Sequence, residues 1–225
     1  MKYLIHTIAF LLLLTTATAC GDFYVFEDEP DSWDGVAMRV LCDSNYVMEG
    51  DSMPLRVEFT PLNPDSGAVY WSIPDTLTAK IRNNSLIAKS AGELQLVAIS
   101  NNGRLQDTAR VTVFERWDTT RLEYSNINDM VVYANITIKG EQWNPETQLV
   151  AAFIDGRLAG VAEAREDFGI KYARLRIWAD VEEHAGYVFL QCYDRRRFRL
   201  YSMPGFDFKV NPTLGTLTNL YPLNF

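Results

Sequence analysis

The stretch from residue 94 to residue 113, LQLVAISNNGRLQDTARVTV, decides the fold class of this chain. Apolar and polar residues alternate in residues 94–98 and again in residues 109–113, which is the period of a half-buried strand. Asn101-Asn102-Gly103 lies between the two segments, and Asn-Gly is a hairpin dipeptide that adopts positive φ. The stretch therefore predicts two strands joined by a tight turn.

The same alternation recurs on both sides of this hairpin. Residues 55–59 (LRVEF) alternate apolar and charged side chains, and residues 130–138, 149–154 and 206–210 are further strand-like segments. Asp155-Gly156 follows the segment 149–154 and predicts a second hairpin turn. Short strands separated by turn residues, without a helical period, predict an all-β chain with two tandem β-sandwich domains.

The N-terminus predicts export and attachment to a membrane. Residues 4–14 are mostly apolar, and a run of about 11 residues is too short to span a bilayer but fits the apolar region of a secretory signal. The small residues 15–19 then lead to Cys20. This arrangement resembles a bacterial lipoprotein signal, in which the peptide bond before the cysteine is cut and the cysteine carries lipid. Ala17 stands where that signal prefers Leu, so an ordinary signal cut after Ala19 is the alternative.

The chain accordingly divides into four predicted segments. They are a signal peptide (1–19), an acidic tether (20–35), a first β-sandwich domain (36–115) and a C-terminal β-sandwich domain (116–225). The acidic residues after Cys20 resemble the surface-sorting stretch of Bacteroidales-type lipoproteins. The alternative for this segment is a solvated tether. The resemblance implies a lipid-anchored protein of the outer membrane or cell surface.

The first predicted domain resembles a known family. Glu49-Gly50-Asp51-Ser52, Val69-Tyr70-Trp71-Ser72, Leu86-Ile87-Ala88 and Ala91-Gly92 follow one another between alternating strands. In this order they resemble a bacterial immunoglobulin-like domain, group 2, so the resemblance implies an immunoglobulin-like β-sandwich. Within it we expect Trp71 to fill the core between the sheets, because a large aromatic ring in an apolar strand gains most from burial.

The C-terminal half resembles a second kind of module. The segments AAFIDG (151–156), GVA (160–162) and FLQCYD (189–194) are similar to a C-terminal β module of Bacteroidales surface and secreted proteins. That resemblance implies a β-sandwich and no particular activity.

Composition excludes several classes of function. The chain has 225 residues, a net charge of -8 and 29 acidic against 21 basic residues, which opposes binding to nucleic acid. It has two histidines, one of them inside the signal segment, so the mature chain has too few for a two-histidine zinc site. The sequence predicts no catalytic residue, metal ligand or cofactor, and we expect a protein that is not an enzyme.

Two groups of side chains are candidates for ligand binding. Arg195, Arg196 and Arg197 form a cationic hairpin tip on an acidic chain, and guanidinium groups suit carboxylate or sulfate ligands. Trp143 and Trp178 are candidates for stacking on sugars. The alternatives are a solvated turn for the arginines and core or junction packing for the tryptophans.

A short pattern predicts covalent modification. Asp followed by Ser or Thr is similar to the O-glycosylation acceptor of Bacteroidales exported proteins, and the candidate hydroxyls are those of Ser52, Thr76, Thr108 and Thr119. The alternative is that these pairs are ordinary turn and cap residues.

Two functions from different classes fit these observations. The first is an adhesin-like or scaffold module that binds a surface-protein ligand. The second is a glycan-binding accessory lipoprotein of a polysaccharide uptake system, which an exposed planar row of two or three aromatic side chains on one sheet face would favour. An enzyme would need a cleft with convergent acids of shifted pKa.

Overall fold

The computed structural model describes residues 35–41, 45–61, 68–121, 128–179, 186–209 and 212–225. The chain divides into two compact units, Met1–Gly35 and Val36–Phe225. All strands given below lie in the second unit. The predicted signal peptide, the anchor at Cys20 and the tether up to residue 34 lie outside the described residues. Within the described ranges, no helix is long and apolar enough to cross a membrane.

The N-terminal β-region, residues 36–114, is built from short strands. In chain order the described strands are β1 Ala37–Leu41, β2 Tyr46–Met48, β3 Ser52–Pro54, β4 Arg56–Thr60, β5 Val69–Ser72, β6 Ala79–Arg82, β7 Ser85–Ala88, β8 Gly92–Ser100 and β9 Gln106–Phe114. β1 pairs with β4, β7 lies between β3 and β6, and β2, β9, β8 and β5 form a sheet in that order. β8 and β9 pair antiparallel, so the predicted hairpin is confirmed. Its connection, residues 101–105, is longer than the predicted tight turn, and Gly103 is its one residue with positive φ.

The alternating strands of this region share one apolar core. Its fully buried members include Val47, Leu86, Leu96, Ala98 and Val111. Trp71, which the sequence predicts at the centre of the core, is only partly buried and packs against this cluster. That prediction is wrong because β5 is the last strand in its sheet, and an edge strand covers the core only at its rim.

The C-terminal β-region, residues 128–225, follows a short 3-10 helix at Thr119–Arg121. Its described strands are β10 Asn128–Ile138, β11 Glu141–Gln142, β12 Gln148–Ile154, β13 Arg157–Asp167, β14 Ile170–Ala179, β15 Tyr187–Asp194, β16 Arg199–Asp207, β17 Thr213–Leu214 and β18 Tyr221–Asn224. The strands neighbour one another in the order β11-β10-β14-β13-β12-β15-β16, and β17 and β18 pair in parallel with β10. The all-β prediction is confirmed.

Strand β13 changes its neighbour along its length. It pairs with β12 up to Ala151↔Val161 and with β14 from Ala162 to Asp167. Gly160 lies at this change, where a Cβ atom would collide with the carbonyl of Arg176, so only glycine permits the close approach of the two backbones. Beyond this point β14 is the described partner of β13, and residues 165–172, which lie past the pairing of β14 with β10, form a two-stranded ribbon.

The core of the C-terminal region gathers side chains from most of its strands. Fully buried members include Val132, Leu175, Ile177, Val188, Leu190 and Leu223. Cys192 belongs to the same cluster as a free thiol. Burial, with the nearby Asp194 charge, raises the pKa of this thiol to about 12, so it stays protonated and behaves as an apolar core side chain.

Four aromatic side chains join the two β-regions. The rings of Phe114 and Tyr193 meet edge to face with centroids 4.8 Å apart, and Trp117 lies 5.6 Å from Phe153 and 6.5 Å from Tyr193. The backbone N–H of Met48 donates a hydrogen bond to the Tyr193 hydroxyl over 3.4 Å. Burial is the main cause that raises the pKa of Tyr193 to about 12. The two regions therefore share a buried aromatic contact, which we call the junction.

Four hairpins of the described chain close with two-residue turns in which both residues have positive φ. These turns are Asn83-Asn84, Lys139-Gly140, Asp155-Gly156 and Phe168-Gly169. This backbone is the hairpin turn that matches strand twist, and its first position favours Asn, Asp or Gly. Phe168, at φ 53°, departs most from that preference, since a bulky side chain rarely adopts positive φ.

Candidate functional site

A cleft of about 380 Å³ opens in the C-terminal β-region between the β13–β14 ribbon and the connection from β11 to β12. We call it the ribbon cleft. Its apolar lining comes from Ile136, Trp143, Pro145, Ala164 and Ala173, and its polar lining from Gln142, Arg165, Glu166, Lys171 and Tyr172. Volume and lining both match sites for small ligands, which are mostly apolar with a few placed polar groups.

Trp143 is held rigidly in the ribbon cleft. Its indole N–H donates a hydrogen bond to the carbonyl of Gln148 over 2.8 Å, and its backbone N–H donates to the carbonyl of Ile136 over 3.0 Å. The side chain is 9% exposed, so most of the ring packs in the core. The residue following it is also fixed, because the backbone N–H of Asn144 donates to the Gln148 side chain over 2.9 Å. The cleft wall around Trp143 is therefore formed before any ligand arrives.

The charges around the ribbon cleft balance one another. Arg165 forms an ion pair with Glu163, and Glu166 and Lys171 are paired positions across the ribbon. Opposite charges in such cross-strand positions compensate each other. The cleft therefore presents donors and acceptors with little net charge.

Tyr172 adds a neutral hydroxyl to the same cleft. This hydroxyl donates a hydrogen bond to Asp167, and this bond is the main cause that raises the pKa of Tyr172. The phenol therefore stays protonated, with its proton directed to Asp167. Its ring is further supported by Tyr133, whose centroid lies 5.5 Å away.

Such a site suits a neutral ligand that has an apolar face and many hydroxyl groups. A sugar ring has both, because its C–H groups form apolar patches and its hydroxyls donate and accept hydrogen bonds. The exposed edge of Trp143 and the alanines offer apolar contact, and Glu166 and Lys171 offer polar groups to the hydroxyls, while the Gln142 amide already donates to Asn135 and to the carbonyl of Ile136. A fully charged ligand would find no unbalanced counter-charge in this lining.

The two candidate tryptophans lie on different faces of the C-terminal region. Trp143 belongs to the core cluster and lines the ribbon cleft. Trp178 lies on β14 with Arg176, whose guanidinium carbon is 5.5 Å from the Trp178 ring centroid and whose Nε is 2.6 Å from Asp129. Successive strand residues point to opposite faces, and the neighbours of Trp178, Ile177 and Ala179, are buried in the core. Trp178 therefore lies on the outer face.

The three candidate arginines follow β15, in the turn that leads to β16. Arg195 Nε lies 3.2 Å from the Asp51 carboxylate of the N-terminal region, while Arg196 and Arg197 are exposed. Asp194 accepts hydrogen bonds from the backbone N–H groups of Arg196 and Arg197 and so fixes the turn. Binding of an acidic ligand by these arginines stays a prediction. Arg196 and Arg197 are its exposed candidates, and the Arg197 side chain is already hydrogen-bonded to Tyr201.

Phe198 completes the same turn and reaches the N-terminal region. It has a φ of 51° and packs, partly buried, against the N-terminal core cluster. Together with the ion pair of Arg195, this contact attaches the turn to the first β-region. We refer to residues 195–198 as the docked turn.

A second aromatic surface lies on the sheet around β15. Tyr187 and Phe189 are 50% and 39% exposed, and their two-residue spacing puts both on one face of the strand. Phe153 is the cross-strand partner of Phe189 and also contacts Trp117 at the junction. These three rings form a row on one sheet face, and we call them the β15 aromatic row.

The candidate O-glycosylation positions are spread between residues 52 and 119 of the chain. Ser52, Thr76 and Thr108 are exposed, and Thr119 is half-buried in the 3-10 helix. The aspartate before each candidate hydroxyl already has a structural contact. Asp51 forms an ion pair with Arg195. The other three accept hydrogen bonds from backbone N–H groups: Asp75 from Leu77, Asp107 from Val40 and Asp118 from Thr120. Modification stays a prediction, and the turn-and-cap alternative explains Asp75 and Asp118.

Sequence reasoning missed the ribbon side of the cleft. Glu166, Lys171 and Tyr172 attract no attention as isolated residues, because their grouping depends on the register of β13 against β14. The available signal is Gly169, which follows two charged residues and an aromatic one in a stretch of alternating side chains. Read as a hairpin turn, it would have paired Glu166 with Lys171.

Comparisons with known proteins identify no family. No family model and no curated protein matches this chain. One similar solved structure is SGBP-B of the Bacteroides ovatus mixed-linkage glucan utilization locus, in complex with a mixed-linkage heptasaccharide. It is 15% identical over 77% of this chain and 47% of its own, with a TM-score of 0.24, so this chain spans less than half of its length.

Two further structures show the same level of similarity. An S-layer protein is 12% identical over 74% of this chain and 25% of its own, with a TM-score of 0.28. The titin immunoglobulin tandem domains are 11% identical over 78% of this chain and 97% of their own, with a TM-score of 0.24. TM-scores this low support no inference about the function of this chain.

Proposed function

We propose that the protein is a non-enzymatic, lipid-anchored surface module that binds a neutral glycan in the ribbon cleft. The observation that carries the proposal is the lining of that cleft, in which a fixed tryptophan and small apolar side chains meet a charge-balanced polar rim. The preformed wall supports it further, because a site that is ordered before binding loses less entropy when the ligand arrives.

The carboxylates near the cleft favour binding over hydrolysis. Glycosidases use two carboxyl groups that face each other across the scissile bond. In the described lining, Glu166 is the one carboxylate. The neighbouring acids Glu163 and Asp167 are bonded to Arg165 and Tyr172. A rim of this composition suits holding a sugar rather than cleaving it.

A glycan array with isothermal titration on its hits tests the proposal. The exposed rim is removed by Glu166→Ala together with Lys171→Ala, and the apolar wall of the cleft is altered by Trp143→Phe, which keeps an aromatic ring in the core. We expect each variant to lose about tenfold in affinity, the effect of losing roughly 1.4 kcal/mol. Lys80→Ala with Glu93→Ala is the matched control, since it removes the same charges from exposed strand positions of the N-terminal region.

Three outcomes would contradict the proposal. The wild type binding no glycan would reject the function, and unchanged affinity in both cleft variants would reject the site. Loss of binding in a Tyr187→Ala, Phe189→Ala variant with the cleft variants unaffected would assign the ligand to the β15 aromatic row instead.

The anchor is tested separately. We expect the wild type to fractionate with membranes and to incorporate a fatty-acid probe, and Cys20→Ala to lose the label. An unlabelled, soluble wild type would reject the lipid anchor and leave the glycan proposal standing.

A further inference from the structure

Phe168 occupies a position where the other turns of this chain place polar residues. The four two-residue turns begin with Asn83, Lys139, Asp155 and Phe168, at φ values between 50° and 53°. The first three residues are polar and exposed, as expected at a solvated turn. Phe168 combines an unfavourable backbone conformation for its type with a side chain that gains nothing from water.

The Phe168 ring is also the most exposed large apolar side chain of the described residues. It is 96% exposed, so packing within the described chain does not account for it. The docked turn offers a direct contrast, because Phe198 in that turn also has positive φ and its ring packs against the N-terminal core. In that turn the ring has an internal partner, whereas the described residues supply no comparable partner for Phe168.

The position of Phe168 relates it to the ribbon cleft. Glu166 and Lys171 line the cleft, and Phe168 follows the first by two residues and precedes the second by three. At about 3.4 Å per strand residue, the Phe168 backbone lies within roughly 10 Å of both. A ligand that extends out of the cleft along the ribbon would therefore reach this ring.

We infer that Phe168 stacks on a sugar residue that lies beyond the ribbon cleft, so that the bound glycan is a chain longer than the cleft holds. The inference rests on the proposed function and adds the length class of the ligand. The ring offers a flat apolar face to sugar C–H groups, and the Glu166 carboxylate near it is an acceptor for sugar hydroxyls. The charges of Glu166 and Asp167 oppose insertion of this turn into an anionic lipid surface.

A length-graded array of neutral oligosaccharides tests the inference. It contains glucans, mannans, galactans and xylans from disaccharides to octasaccharides, and affinities are measured for wild type, Phe168→Asn and Phe168→Tyr. We expect wild type to prefer the longer chains. Phe168→Asn should lose about tenfold on those chains, the scale of one aromatic contact, and stay unchanged on disaccharides. Phe168→Tyr keeps the ring and should retain the preference.

A matched control and the opposing outcomes complete the design. Tyr70→Ala removes an aromatic ring that is 62% exposed on β5 of the N-terminal region, and it should leave all affinities unchanged. Long-chain affinity that is equal in Phe168→Asn and wild type overturns the inference while the cleft assignment stands. A wild type that binds none of these glycans overturns both the inference and the proposed function.

Discussion

Two phenylalanines lie in hairpin turns of the same β-region, and their surroundings differ completely. Phe198 and Phe168 have φ values of 51° and 53°, so each accepts a backbone conformation that disfavours bulky residues. Phe198 packs against the core cluster of the N-terminal region, whereas the ring of Phe168 is 96% exposed. Both residues bear the free-energy cost of a positive φ. Among the described residues, only the packing of the Phe198 ring against the core offsets that cost.

The difference separates a structural aromatic from a candidate functional one. A non-glycine residue in this conformation costs of order 1–3 kcal/mol, and burial of the Phe198 ring offsets that cost within the fold. For Phe168 the fold supplies no comparable gain. An unfavourable turn residue without internal compensation is the pattern expected of a contact kept for a ligand.

The largest effect is expected at the junction that the docked turn supports. The pKa of Tyr193 is raised to about 12 from its ordinary value of 10.0, so the folded state prefers the neutral phenol. This stability is fully present below about pH 10 and is lost as pH rises toward about 12, and it amounts to about 3 kcal/mol at 1.36 kcal/mol per pKa unit.

Denaturant unfolding as a function of pH measures this loss. The side chain introduced by Tyr193→Phe cannot ionise, so the free energy of unfolding of this variant should fall less steeply above pH 10 than that of the wild type. A loss of stability with rising pH should remain in this variant and begin near pH 9, because burial also raises the pKa of the Cys192 thiol from 9.0 to about 12. Identical pH profiles for wild type and Tyr193→Phe would show that Tyr193 does not titrate as a buried group.

Removing the Phe198 ring tests the docked turn directly. Phe198→Ala should lower the free energy of unfolding by about 2 kcal/mol, less than the 3–5 kcal/mol of a fully buried phenylalanine because the ring is only partly buried. Urea denaturation of the full chain measures it. A change in the free energy of unfolding of only a few tenths of a kcal/mol would mean that the Phe198 ring contributes as little to the fold as the Phe168 ring.

The ion pair of the same turn should contribute less. Arg195 and Asp51 have side chains that are 34% and 21% exposed, so solvent screens their attraction. A double-mutant cycle with Arg195→Ala and Asp51→Ala is expected to give a coupling of about 0.5–1 kcal/mol. Arg196→Ala is the control, since Arg196 is exposed. An equal coupling energy between Arg196 and Asp51 would refute the specific pairing of Arg195 with Asp51.

The smallest effect is expected at the exposed ring and has the opposite sign. Phe168→Asn should stabilise the fold by about 0.5 kcal/mol, because Asn suits the first position of this turn. Thermal unfolding detects this as a slightly higher Tm. A clear loss of stability would show that the Phe168 ring has a structural partner, and the contrast with Phe198 would fail.

The strand pattern of this chain is predictable from sequence where the turns have ordinary chemistry. The hairpin at residues 94–113 and the turn at Asp155-Gly156 are predicted correctly because their turns contain Gly103, Asp155 and Gly156, residue types that favour the positive φ found there. The turn at Phe168-Gly169 escapes the same reasoning because its first residue is of the wrong type. Phe168 at a turn position that favours Asn, Asp or Gly therefore makes this hairpin hard to predict from the sequence, and it also distinguishes this turn from the others.

The site is only partly predictable for a related reason. Trp143 is a candidate from its residue type alone, but its separation from Trp178 depends on which face each residue takes, and its position in a cleft depends on strand order. The contact of Arg195 with Asp51 joins residues 144 positions apart. Such contacts follow from tertiary packing, and no local pattern announces them.

The parallel pairing of β2 with β9 has a mechanical consequence. Tyr46, Val47 and Met48 pair with Thr112, Val113 and Phe114 in the same direction. A pull on the N-terminal side of β2 and an opposite pull on the C-terminal side of β9 would slide these strands past each other. The inter-strand bonds would then share the force and break together rather than one at a time. A protein held at one end and loaded through a ligand at the other would resist extension at this strand pair.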